Sequence, residues 1–170
     1  MRIPSTAGIL TKSALICAAV TLLNSPATAQ SRPINIALVT PIQIVPEAEA
    51  VSGFRWNILY GKNSAMTGLD IGIANHVGGH MEGVQFGWVN LTESMVGWQD
   101  GIVNYNTGEF EGFQWGGVNY TGRINGLQLG IVNYAERAHG VQVGLINIIK
   151  EGGYFPVMII ANWGFEETRQ

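Results

Sequence analysis

Between residues 52 and 155 the chain alternates apolar and polar positions with a period of two, not 3.6. In "GLQLGIVNYAERAH" (126–139), Leu127, Leu129 and Ile131 fall on one side of an extended backbone, and Gln128, Gly130 and Val132 on the other. A helix does not suit this stretch, because each of its glycines would cost roughly 1 kcal/mol there. The intervening segments "TESMV", "NTGEFE", "TGRIN" and "AERAH" are polar and turn-like. The pattern predicts short strands joined by tight corners, with Leu127, Leu129, Ile131 and their equivalents forming an apolar interior.

The alternation is itself periodic. A unit Gly-φ-Gln-φ-Gly-φ-Val-Asn (φ apolar) begins at Gly68, Gly83, Gly97, Gly112, Gly126 and Gly140, at spacings of 15, 14, 15, 14 and 14. Its second glycines are Gly72, Gly87, Gly101, Gly116, Gly130 and Gly144, and its closing asparagines are Asn75, Asn90, Asn104, Asn119, Asn133 and Asn147. Glutamine takes the third place at Gln85, Gln99, Gln114, Gln128 and Gln142; Asp70 takes it in the first unit. Amides recurring in every unit serve a scaffold, since a catalytic site is needed once. Degenerate copies flank the array, as expected of caps. "GFRWNILYG" (53–61) has Asn57 where the second glycine belongs, and "FPVMIIANWGF" (155–165) keeps only Asn162. Residues 30–51 read as a leading strand ("INIALV") and a connector, 52–165 as one repeat domain, and 166–170 as a tail.

The units, with the lead-in "GFRWNILYGKN", "GLDIGIAN", "GWQDGIVN" and the ending "GGYFPVMIIANWGF", resemble the surface-repeat proteins of Gram-negative bacteria and leptospires, exported proteins built of "GLQLGLVN" units. The resemblance runs from about Val51 to Phe165. It implies a bacterial envelope or surface protein and carries no activity to particular residues.

Two all-β architectures accommodate the repeat. In a β-solenoid with one unit per coil, each Gln and Asn lies over its equivalent and forms an amide ladder along the stack. In a closed antiparallel β-barrel of about eight strands, each unit is one strand of a meander. Equally short linkers at every corner favour the solenoid. Asp100 stands where other units hold Phe86, Trp115, Leu129 or Val143, and suits neither a lipid-facing strand nor an apolar core.

Residues 1–29 read as a cleavable signal peptide. Arg2 and Lys12 give a basic start, Ala14 to Leu23 an apolar stretch, and Ala27-Thr28-Ala29 a small-residue cleavage site. Cys17, the sole cysteine, lies inside it, so no disulfide-linked partner is expected. Without Arg2 and Lys12, seven basic side chains face twelve acidic ones, a net charge of −5 with no basic cluster, which argues against nucleic acid. Charged residues make up 12% of the chain, against about 25% typically, which leaves membrane association open.

Candidate chemistry is sparse. His76, His80 and Glu82 offer too few ligands for a tight metal site. "YGKNS" (60–64) lacks the earlier glycine of a phosphate loop, with Trp56 in its place. "NLT" and "NYT" match glycosylation acceptors, but at Asn90 and Asn119 the repeat already requires asparagine. No Gly-x-Ser-x-Gly elbow exists, and His139 merely leads into an ordinary unit. No catalytic residue, cofactor or metal is therefore assigned, and Asp100 and Gly117 remain as departures from the repeat. Tyr105, Tyr120 and Tyr134 each follow a closing asparagine and should stack. The expectation is a non-enzymatic structural or interaction module in the periplasm, outer membrane or cell surface, meeting an unidentified envelope or surface partner; a small ligand-holding barrel is the alternative.

Overall fold

The computed structural model describes residues 31–165; the signal peptide read over 1–29 and the tail over 166–170 lie outside them. The described chain is a β-solenoid. Strand β1 (Arg32–Val39), β2 (Ile42–Gln43), β3 (Val51–Asn63), β4 (Met66–Glu151) and β5 (Val157–Phe165) form one sheet in the order β2-β1-β3-β4-β5. Strand β4 is a continuous extended path of 86 residues that winds through successive coils. Strand β3 pairs with its start in parallel, Gly53 on Gly68, Arg55 on Asp70 and Asn57 on Gly72. Parallel neighbours require a long return path, and here the remainder of each 14- or 15-residue unit supplies it. The antiparallel barrel is thereby overturned, because repeats relate by translation along the stack. Antiparallel pairing is confined to β2 on β1 and β5 on the last coil.

The expected apolar interior is overturned as well. Ile131 is 58% exposed, whereas Gln128 and Asn133 are fully buried. Asn133 lies five positions after Gln128, an odd offset, so the strict alternation breaks at a corner between these two inward amides. Two ladders fill this half of the interior. Each Gln Nε2 donates to the Oε1 of the preceding coil at 2.6–2.8 Å, from Gln142 back to Gln85. Each Asn Nδ2 donates the other way, from Asn57 through to Asn147, at 2.7–2.9 Å. The second Nδ2 hydrogen of Asn75, Asn90, Asn104, Asn119 and Asn133 reaches a backbone carbonyl of the next coil, that of Phe86, Asp100, Trp115, Leu129 and Val143 respectively.

The other half of the interior is mainly apolar, with Thr92, Asn106 and Thr121 among its buried polar members. It is built by the residue two before each first glycine, Val51, Met66, Met81, Met95, Phe110, Ile124 and Ala138, with Val77, Ala135 and Ile149 beside them. This rule holds in 14- and 15-residue units alike. The extra residue falls in the exposed corners Gly78-Gly79-His80 and Thr107-Gly108-Glu109, where Thr92-to-Met95 and Thr121-to-Ile124 need only two linking residues.

The two glycine columns have separate causes. At the first, φ is positive, between 116° and 144° from Gly53 to Gly126, a conformation side chains disfavour. At the second, the space of a Cβ is taken by the asparagine ladder. A Cβ on Gly116 would meet the Gly101 carbonyl oxygen, with Asn104 Nδ2 at 2.6 Å and Asn119 Oδ1 at 2.9 Å.

The glutamine column ends in an ion pair. Its first three members are Arg55, Asp70 and Gln85. Arg55 Nε and Nη2 donate to Asp70 Oδ1 and Oδ2 at 2.7 and 2.6 Å, both side chains being fully buried. Gln85 Nε2 donates to Asp70 Oδ2 from the opposite side at 2.8 Å, and Asn57 Nδ2 to Oδ1 at 3.0 Å. A residue facing donors from both neighbours must be an acceptor alone, and a carboxylate is the side chain that qualifies. The remaining guanidinium nitrogen, Nη1, donates to Asn63 Oδ1 and the His76 carbonyl.

At the far end the degenerate last copy reverses direction. Gly152, at φ 76°, and the residues after it turn the chain so that β5 runs antiparallel, pairing Gln142 with Asn162 and Gly140 with Gly164. Asn162 lies at the repeat spacing but donates to the Phe155 and Asn147 carbonyls instead of extending the ladder.

Two predictions follow from this core. Gly116→Ala should destabilise the fold by a few kcal/mol in urea melts. Gly117→Ala should cost distinctly less, since its Cβ would find only the Ile102 carbonyl oxygen at 3.0 Å and Ile102 Cγ2 at 3.8 Å. Asp70→Asn, which strands a buried guanidinium, should cost about 3–5 kcal/mol. The double substitution Arg55→Gln, Asp70→Gln continues the ladder and should recover much of that loss in the same melts.

Candidate functional site

With amides turned inward, the apolar half of the alternation faces outward as columns along the stack. The fourth position contributes Ile71, Phe86, Asp100, Trp115, Leu129 and Val143, and the sixth Ile73, Trp88, Ile102, Gly117, Ile131 and Leu145. Ile34, Ile36 and Leu38 of β1 and Phe54, Trp56 and Ile58 of β3 continue this surface, each more than a third exposed. Contiguous apolar patches larger than a few hundred Å² are rare on monomeric soluble proteins. Trp98 packs against Phe86 and Phe113, ring centroids 5.2 and 6.0 Å apart.

Two departures from the repeat meet on this face. Asp100 is half-buried on the outside, not in the core, and its main-chain oxygen accepts from Asn90. Gly117, two columns over in the next coil, leaves a gap. Together with Gly87, Gly101 and Gly116 they floor an open concavity of about 440 Å³ walled by Trp88, Trp115, Ile102 and Ile131. The sequence marked Asp100 and Gly117 singly; their adjacency follows from the coil register. The Arg55–Asp70 pair had a signal too, since Asp70 alone departs from glutamine and Arg55 precedes it by fifteen residues.

The column after the asparagines carries the aromatic stack. Tyr105 and Tyr120 lie 4.6 Å apart at 17°, and Tyr120 and Tyr134 5.0 Å apart at 5°. His76, which follows Asn75, stands at the start of that column opposite Lys62, and Tyr60, opposite Ala74, brings its Oη to 2.8 Å from His76 Nδ1. Burial holds the His76 pKa below its ordinary value, and the nearby Lys62 and Arg55 charges push it the same way. Burial and the Glu47 charge raise that of Tyr60, so the phenol stays protonated beside a neutral imidazole, and it donates in the tautomer that leaves Nδ1 bare.

The remaining candidates disperse. His80 Nδ1 lies 3.0 Å from Ser94 Oγ, and no three His, Cys, Asp or Glu side chains converge on a metal position among the described residues. His139 packs edge-on to Phe165. Lys62 of "YGKNS" sits 3.8 Å from Glu47. Asn90 and Asn119 are fully buried rungs of the ladder.

The class these features define is a parallel β-solenoid with an amide-laddered interior and an apolar outer face interrupted by one aromatic concavity. Comparison with family models, curated proteins and solved structures gives no match for this chain.

The burial of His76 has a pH consequence. A histidine whose folded pKa lies below its unfolded value of about 6.5 binds fewer protons when folded. Stability therefore rises with pH through the window between the two values and is lost as pH falls through it. His76→Gln should flatten the thermal-midpoint profile just below pH 6.5 relative to the parent; an unchanged slope would show that other groups carry it.

Proposed function

We propose that this chain is a non-enzymatic interaction module of the bacterial cell envelope, whose apolar outer columns lie against an apolar partner surface. One observation carries the reading: the polar residues of the repeat are spent on the interior, and the outside is left to leucine, isoleucine, valine and tryptophan. A chain that exposes Ile131, Leu145 and Trp88 at 58, 65 and 63% in water is better served with that face covered. The export expected from residues 1–29 and the resemblance of the repeat to envelope proteins support the location. Among the described residues no helix is long and apolar enough to cross a membrane.

Apolar attachment has a characteristic salt response: screening weakens contacts between exposed charges and leaves hydrophobic ones intact. Expressed with its leader in a Gram-negative host, the chain should stay with the envelope through a 1 M salt wash (a concentration at which the Debye length is only about 3 Å) and release in mild detergent. The double substitution Ile71→Lys, Leu129→Lys should move it to the soluble fraction without lowering its melting temperature appreciably. Recovery of the parent chain in the soluble fraction before any detergent would overturn the proposal.

A further inference from the structure

The concavity at Asp100 has a composition that narrows what it would hold. Across the second, fourth, sixth and seventh positions of all six units, Asp100 is the one charged side chain. Among the described residues its carboxylate forms no ion pair and accepts no hydrogen bond. The other lining groups are Trp88, Trp115, Ile102, Ile131 and glycines. The coils carrying Trp88 and Trp115 flank the coil carrying Asp100, so their backbones stand two coil spacings apart, roughly 9–10 Å along the stack, with Trp88 in the sixth column and Trp115 in the fourth. Gly117 removes the side chain that would fill the space beside Trp115. A large side chain there would fill the concavity, and the repeat does not call for glycine: other units hold Trp88, Ile102 or Ile131 at this position, its φ is ordinary, and a Cβ would meet the Ile102 carbonyl oxygen at 3.0 Å but no amide rung.

Three ligand chemistries can be weighed against this lining. A neutral sugar needs several hydroxyl partners, and the walls offer one carboxylate and two indole N–H groups. An ammonium or guanidinium brings three to five N–H donors, most of which would go unmet against indole and isoleucine. A fully alkylated ammonium carries charge without any N–H donor, and its methyl shell suits apolar walls. It is attracted both by a carboxylate and by the faces of tryptophan.

We propose that Asp100, Trp88 and Trp115 form a binding site for a quaternary ammonium group, with Gly117 providing the room. Asp100 supplies the counter-charge, the indoles the cation–π and apolar contact, and the glycine floor the depth. The proposal is independent of the envelope reading, since a soluble chain would possess the same site. Two sources present this chemistry, a free choline-like solute and the choline headgroup of a lipid.

The test uses the purified chain from Gln30 onward, held in mild detergent where needed, and choline chloride as probe, read by tryptophan fluorescence and by amide chemical shifts at residues 100–102 and 115–117. Saturable binding is expected, with shifts confined to those residues. Asp100→Asn should weaken it roughly tenfold or more, and Gly117→Leu should abolish it while Asp100 remains. The uncharged carbon isostere of choline, with a tert-butyl group in place of trimethylammonium, should bind at least roughly tenfold more weakly than choline. Equal binding of the isostere, or full affinity in Asp100→Asn, would show an apolar dent without charge recognition and overturn the site. So would absence of any response to choline in a chain with the parent melting temperature. Flotation with phosphatidylcholine but not phosphatidylglycerol vesicles, competed by choline, assigns the site to a lipid headgroup; choline binding without flotation assigns it to a free solute.

Discussion

Every buried side-chain amide brings two donors and an acceptor that water no longer satisfies, and leaving one unmet costs about 1–3 kcal/mol. In this solenoid that constraint governs the rest. An amide stacked on its own copy can pass one hydrogen bond up the column, so the demand is met by translation alone. Translation fixes the parallel register, and the register demands that the path from one glutamine to the next be 14 or 15 residues. The asparagine ladder then occupies the space above each second glycine, which is why Gly116 cannot carry a side chain whereas Gly117, one residue away, can. The two ladders donate in opposite directions, Gln toward the N-terminal coils and Asn toward the C-terminal ones, so their amide dipoles oppose one another instead of accumulating along the stack.

A ladder also has ends, and the ends explain the irregular copies. Each column begins with an oxygen that no rung addresses, Gln142 Oε1 in one and Asn57 Oδ1 in the other. Each finishes on a donor that needs an acceptor. Asp70 serves Gln85, and the Gly144 and Met158 carbonyls serve Asn147. Replacing the second glycine with Asn57 is therefore not decay of the motif. It places the starting rung of the asparagine ladder, and the same amide steadies Asp70. The reversed β5 plays the corresponding part at the other end, supplying carbonyls in place of another rung.

Much of this was legible in the sequence. Spacings of 14 and 15, the equal linkers and the amide columns pointed to a solenoid, and the tyrosines following Asn104, Asn119 and Asn133 do stack. What the sequence concealed was the sense of the alternation. A period of two defines two faces and is silent on which is inside; transfer energetics alone would put Leu127 and Leu129 there. The interior instead takes Gln128 and Asn133, because in a stack of identical amides the usual penalty for burying a polar group is cancelled by its copy in the next coil. The apolar interior that does exist sits in the segments that read as polar turns, at Met81, Met95, Phe110 and Ile124, each a buried residue amid exposed neighbours. Two inward side chains per corner, such as Thr121 and Ile124, set three or four positions apart, leave no period-two trace in one unit, and only alignment on the glycines brings them out.

The same inversion separates the two aspartates that break the repeat. Asp70 and Asp100 occupy adjacent positions of their units, third and fourth, and adjacent residues of a strand face opposite ways. Asp70 therefore faces inward, where it meets Arg55, Asn57 and Gln85 and every acceptor site has use. Asp100 faces outward, where the surrounding columns are aliphatic and aromatic and no donor among the described residues approaches its carboxylate. One break is accounted for by the fold's own hydrogen bonds. The other contributes nothing to the ladders, lies beside a glycine the fold does not need, and interrupts an otherwise uncharged surface. Where a repeat departs from its rule, the test of structural against functional meaning is whether the departure completes a bond within the stack. By that test Asp70 belongs to the scaffold, and Asp100 is the position at which the scaffold is open to something else.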